Sequence, residues 1–241
     1  MKRKALLIGA PGKGTQELPG VKSDMKNYKN FLMSEIGGKW ANNEIIILLG
    51  ESKEKILKQT ELIKKENNDF VFLVFSGHAN YSTICNSRRL YIDNSEFVYE
   101  THIRKLSDKQ LTIIDSCAES VSLITEKFSE VAGLESFHME LNDYRKVYDD
   151  YILNCPPQEI VLYSCSIDEF SVDTNKGGLY SYNLLNTAKN NHNKILTALQ
   201  ANEKASEVVR VISNGDQNPD YYDSRKSGNK LPFSIYLNNF V

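Results

Sequence analysis

The chain has 241 residues, of which 41% are hydrophobic and 25% charged, the balance of a globular protein able to bury a sizeable core. Its 29 Lys and Arg against 31 Asp and Glu leave a net charge of −2, so it carries no basic field for holding nucleic acid. The apolar run Ala5–Ile8 is too short for a signal-peptide core, and no stretch approaches the ~18 apolar residues of a membrane span, so a cytoplasmic protein without membrane contact is expected. Cys85, Cys117, Cys155 and Cys165 show neither CxxC pairing nor zinc-ligand spacing; they are read as thiols, with no metal and no cofactor expected.

In chain order, the first apolar burst is ALLIG (Ala5–Gly9), which predicts a strand. Ser23–Ile36 follows as a helix, with Met25, Tyr28, Phe31, Leu32 and Ile36 spaced to share one face. EIIILLG (Glu44–Gly50), DFVFLVFSG (Asp69–Gly77), LTIIDSC (Leu111–Cys117) and EIVLYSC (Glu159–Cys165) are further strands, nearly continuous in apolar residues as strands buried on both faces are. Ser52–Asn67, Gly178–Asn190 and Ile195–Ile212 read as helices between and after them. Asn80–Ile103, with the short alternating patches RRLYID and EFVYE, reads as a small β-hairpin excursion. Residues 118–157 are long, polar and charged, the mark of a functional or mobile connection. The alternation predicts a three-layer α/β/α sandwich around a mostly parallel sheet, in one domain.

GAPGKGTQ (Gly9–Gln16) looks like a phosphate-binding loop, but the spacing fails. Gly12 lies three residues after Gly9, Gly14 follows Lys13 where Ser or Thr is needed, and Pro19 and Gly20 intervene before any helical pattern. A nucleotide-binding protein therefore stands as a remote alternative.

The chemistry concentrates at two strand ends. FVFLVFSGH brings His78 to the end of one apolar strand, and LTIIDSC brings Cys117 to the end of the next. Sites in parallel α/β sheets form beyond the carboxyl ends of strands, and consecutive strands tend to be neighbours, so an imidazole and a thiol are expected in one cleft. That pair suits a cysteine hydrolase, in which the thiol attacks a carbonyl and the imidazole moves protons.

FSGHA around His78 and DSC at Asp115–Cys117 resemble the paired S-G-H-G and D-S-C-x-x-G motifs of caspases, metacaspases and their bacterial relatives, peptidase family C14. The resemblance extends over essentially the whole chain: ALLIG with SDMKNYKNFL resembles the family's first strand and helix. YSCSIDEFSVDTNKGGLYSYNLL resembles its fifth strand, substrate-facing loop and next helix, and QNPDYYDSRKSGNKLPFSIYL its last strand. It implies a caspase-like sandwich with a six-stranded sheet, divided into a large-subunit-like part (1–117), an intersubunit-type linker (118–157) and a small-subunit-like part (158–241). Ala79 replaces the usual glycine after the histidine, and Ala118-Glu119 the usual pair after the cysteine; the acid-rich calcium sites of metacaspases are not evident.

By that resemblance, Cys117 is the nucleophile, His78 the acid–base, and the N–H groups of Cys117 and Ala79 hold the oxyanion. Asp24, Ser76 and Asp115 match the acidic primary pocket of metacaspases, which implies cleavage of protein or peptide substrates after Arg or Lys. Arg145-Lys146 and Lys127 are candidate self-cleavage points. An activating ligand or partner and a role in bacterial defence or cell death are further implications, and an inactive caspase-like binding or sensor module is the alternative.

Overall fold

The computed structural model describes residues 1–14, 17–117 and 143–237, with the backbone alone for Cys117 and Asp143. In chain order it comprises β1 (Arg3–Ala10), α1 (Gly20–Met33), β2 (Ile45–Leu49), α2 (Lys53–Lys65), β3 (Phe70–Ser82), β4 (Ser87–Tyr91), β5 (Phe97–Tyr99) and β6 (Lys109–Cys117). There follow α3 (Asp143–Leu153), β7 (Gln158–Tyr163), β8 (Asp173–Thr174), β9 (Gly177–Gly178), α4 (Leu179–Lys189), β10 (Ile195–Thr197), α5 (Ala198–Ile212), β11 (Asp220–Asp223) and β12 (Pro232–Ile235). The main sheet runs β11-β7-β6-β3-β1-β2. All its pairs are parallel except β11 with β7.

Strand alternation divides the core into two layers. Ala5, Leu7, Phe72, Val74, Leu111 and Ile113 face α1, α3, α4 and α5. Leu6, Ile8, Leu73, Phe75, Ile114 and Val161 face α2 and the β4–β5 excursion. Both faces of the central strands are dry, which is why their sequences are unbroken apolar runs. This is the expected α/β/α sandwich. Among the described residues no helix is long and apolar enough to cross a membrane.

Several boundaries differ from the sequence reading. α1 starts at Gly20 rather than Ser23, because the preceding Pro19 already holds φ at −66° and the Gly20 N–H finds a distant carboxylate, Asp173, 3.1 Å away. Ile195–Thr197 is a strand paired with β12; the helix begins only at Ala198, where Thr197 and Gln200 cap it reciprocally. β3 runs on past Gly77 to Ser82, and its extension pairs with β4 to make the excursion a three-stranded antiparallel ribbon with β5.

The end of the expected linker is a packed helix. In α3, Tyr148 and Ile152 are buried in the core, and Asp149 accepts a 2.6 Å bond from Nη1 of the fully buried Arg3. Arg145, expected as a self-cleavage point with Lys146, lies on the same helix and is ion-paired with Glu44. A peptide bond inside a docked helix is not in the extended form a peptidase cleft takes, so self-cleavage at Arg145-Lys146 would require α3 to unfold locally. Lys127 lies outside the described residues.

Candidate active site

The register of β3 and β6 determines which residues meet. Ser76 pairs with Asp115, Gly77 with Ser116, and His78 with Cys117 at the last step before β6 ends. Paired Cα atoms on adjacent strands stand ~5 Å apart, so the imidazole-bearing and thiol-bearing residues are immediate neighbours on one sheet edge. His78 is half-buried. A Cβ on Gly77 would lie 2.7 Å from the Ala10 carbonyl oxygen, so the approach of β1 to β3 at this level requires glycine before His78. Ala79 keeps a negative φ, and with it a backbone N–H in the orientation of an ordinary extended residue.

Behind this edge lie three carboxylates. Asp24 projects from the second turn of α1 and is 1% exposed; it accepts 2.7 Å from Ser76 Oγ and 3.1 Å from the Gly178 N–H. It is thus an inward-facing residue and not the cap of its own helix, which is Pro19. Asp115, 3% exposed, accepts 2.9 Å from the Ser181 N–H in the first turn of α4 and 3.1 Å from Ser171 Oγ. Asp173 on β8, the least buried of the three, accepts from the first N–H of α1. Helix N-termini favour negative charge, and these carboxylates occupy two of them.

Glycines make the room. A Cβ on Gly177 would meet Asp24 Oδ1 at 2.2 Å, on Gly178 Asp115 Oδ2 at 2.3 Å, and on Gly20 Asp173 Oδ1 at 2.0 Å. Among the described residues none of the three carboxylates has a Lys or Arg within ion-pair distance. Burial therefore dominates their titration. Asp24 is pushed well up, first by desolvation and then by the Asp115 charge. Asp115 is also raised by desolvation, against the donors from Ser181, and Asp173 is raised by burial to about 6.

The loop between β7 and β8, which carries Asp173, is held by Gln217. That side chain is fully buried, donates to the Ser164 carbonyl at 2.9 Å and to Ser171 Oγ at 3.1 Å, and accepts from the Val172 N–H at 3.0 Å.

A profile of the caspase domain, peptidase family C14, matches residues 2–229. The chain belongs to this family. Its fold is also that of caspase-1 from Spodoptera frugiperda, with a TM-score of 0.63 at 11% identity over 94% of this chain and 88% of that one. A protein of Geobacter sulfurreducens aligns with a TM-score of 0.63 at 15% identity over 98% of this chain and 99% of that one. No curated protein matches the sequence. The chain is therefore a caspase-fold member of a cysteine peptidase family.

Of the residues singled out from sequence, Ser76 is hydrogen-bonded to Asp24 and lies opposite Asp115 in register, two steps along β3 and β6 from His78 and the Cys117 backbone. Asp173 and Gln217 escaped that reading. Asp173 stands in SIDEFSVDTNKGG beside Asp168 and Glu169, with no local feature to separate it from those two acids, and Gln217 was seen only as part of a motif.

Proposed function

We propose that this chain is a cysteine endopeptidase, folded as one domain, that cleaves proteins after arginine or lysine through His78 and Cys117. The observation that carries the specificity is the trio Asp24, Asp115 and Asp173, partly or wholly withdrawn from water with no Lys or Arg ion pair among the described residues. Burying uncompensated carboxylates is costly, and a substrate guanidinium or ammonium would relieve that cost. Asp24 and Asp115 already accept backbone and hydroxyl donors, so they supply negative field from below. Asp173, nearer to solvent, is the one suited to meet the planar fork of an arginine.

In this reading Cys117 Sγ attacks the scissile carbonyl and forms a thioester. The His78 imidazolium protonates the departing amine and then, as the neutral base, draws a proton from the water that hydrolyses the thioester. The N–H groups of Ala79 and Cys117 face the developing oxyanion, a donor of this kind being worth about 3 kcal/mol of barrier. Ser76 holds Asp24 in place.

Fluorogenic peptides with Arg, Lys or Asp at the cleaved position test both halves. We expect turnover after Arg and Lys, none after Asp, and loss of all turnover in Cys117→Ala. Cleavage after Asp alone would refute the pocket assignment, and activity surviving in Cys117→Ala would refute the nucleophile. Arg-peptide binding without turnover by the unaltered chain would favour a binding module instead.

A further inference from the structure

The loop between β11 and β12 plays no part in the reading above. Residues 224–229 are exposed in succession and belong to no helix or strand. Both ends of the loop are tied down. The Ser224 N–H donates to the Glu159 carbonyl at 3.0 Å, and Ser224 Oγ accepts from the Glu159 N–H at 2.8 Å. The Asn229 carbonyl accepts from Gln158 Nε2 at 2.7 Å. Between these moorings stand Arg225 and Lys226. The Arg225 N–H donates to Asp223 Oδ1 at 3.0 Å, and its carbonyl accepts from Lys230 Nζ. Lys226, Ser227 and Gly228 make no hydrogen bond or ion pair among the described residues.

Exposed loop tips of small and polar residues are where folded chains are nicked, because little has to break before the backbone can straighten. The basic pair of another loop, Arg104-Lys105, is held instead. Arg104 is ion-paired with Glu100 and Glu159, and the Lys105 N–H donates to Glu159 Oε1 at 3.1 Å.

Resting on the catalytic reading above, we infer that the chain cuts a second copy of itself at the Lys226–Ser227 bond. The Lys226 ammonium suits a pocket of carboxylates, and the small Ser227 and Gly228 follow on the leaving side. Lys226 rather than Arg225 is the acyl residue, because Asp223 and Lys230 hold the N–H and the carbonyl of Arg225. The reaction is a hydrolysis. Cys117 Sγ of one copy bonds to the Lys226 carbonyl carbon of the other, the C–N bond breaks, and the Ser227 nitrogen leaves with a proton from His78. Water then splits the thioester, which leaves a carboxylate on Lys226 and returns the thiol.

The attack runs between copies. Gln158, which moors the loop, is in register with Lys109 at the start of β6, and Cys117 stands at the other end of that strand. At ~3.3 Å per residue the two ends of β6 are about 26 Å apart, so the loop lies at the sheet edge opposite the cleft. Tied there at both ends, it does not reach its own cysteine. The cut leaves the fold standing, since Leu231, Phe233 and Ile235 beyond it are fully buried and β12 stays paired with β10.

The test adds a small amount of the unaltered chain to an excess of Cys117→Ala and reads masses after denaturation. We expect Cys117→Ala to be split into fragments 1–226 and 227–241, at a rate proportional to the concentration of the unaltered chain. Cys117→Ala alone should stay whole, and the nicked chain should keep its native size until denatured. Cys117→Ala/Lys226→Gln should be nicked at least roughly tenfold more slowly, since the pocket then meets no cation. Lys226→Gln in the active chain should leave kcat/KM for an Arg peptide unchanged. A Lys226–Ser227 bond that stays intact while the Arg peptide is consumed overturns the inference and leaves the catalytic reading standing. Nicking of Cys117→Ala/Lys226→Gln at the full rate overturns it equally, as does a fractional rate in the unaltered chain that does not fall on dilution. If the Arg peptide is not cut either, the catalytic reading fails and takes this inference with it.

Discussion

At the residue scale, Asp173 differs from Asp24 and Asp115 in keeping some contact with solvent while its carboxyl is raised to about 6 by burial. A raised carboxyl favours the protonated form in the folded chain. The stabilisation it contributes is complete below the ordinary aspartate range and is lost as pH rises through about 6, where the carboxylate becomes available to a cation. Two opposite trends follow for one residue. As pH rises from 5 to 7, KM for an Arg peptide should fall while the unfolding midpoint loses part of its height. Asp173→Asn should flatten the KM trend, measured against the same peptide series. An unchanged KM profile in Asp173→Asn would remove this residue from the pocket. The proposed pair, His78 and Cys117, was legible because each stands at the end of a long apolar run in its strand. Asp173 was not, since its meaning depends on α1 arriving from far away in the chain.

Elements here are completed by one another. α1 begins at a Pro19-Gly20 pair that reads as a break, and its first N–H is satisfied by Asp173 on β8; the first turn of α4 is met by Asp115 on β6. α3 is fastened to β1 by Arg3, whose guanidinium donates to Asp149 at 2.6 Å and to the Gly38 carbonyl at 2.7 Å and lies 4.4 Å from the Trp40 ring centroid. Removing one partner strands the other in a largely dry site. Arg3→Ala should therefore destabilise the chain by about 3–5 kcal/mol in urea unfolding, and the double replacement Arg3→Met/Asp149→Leu should recover most of it. A loss under about 1 kcal/mol for Arg3→Ala would mean that α3 is held by its apolar face alone. None of this was visible in the stretch 118–157, where the helical signal of DYRKVYDDYIL is diluted by charge and the partners are distant in the chain, Arg3 far upstream and β12 far downstream.

Across the whole molecule, early, middle and late segments of the chain share one core. Phe233 on β12 stacks on Phe31 of α1 at 4.9 Å and on Phe72 of β3 at 6.5 Å, with all three rings buried. Phe233→Ala should cost about 3–5 kcal/mol. It should lower the midpoint seen by Trp40 fluorescence and by far-ultraviolet circular dichroism together, as one cooperative unit would. Two separated transitions would contradict the single-domain reading. By itself the sequence determined the sandwich, its parallel central strands and the neighbourhood of His78 and Cys117, because continuous apolar runs permit only doubly buried strands and a parallel sheet delivers their ends to one edge. Tertiary structure alone decided where α1 and α5 begin, that α3 is docked, and that Asp173 joins the carboxylates. Each of these depends on a hydrogen-bond or packing partner distant in the chain, and local periodicity carries no record of such partners.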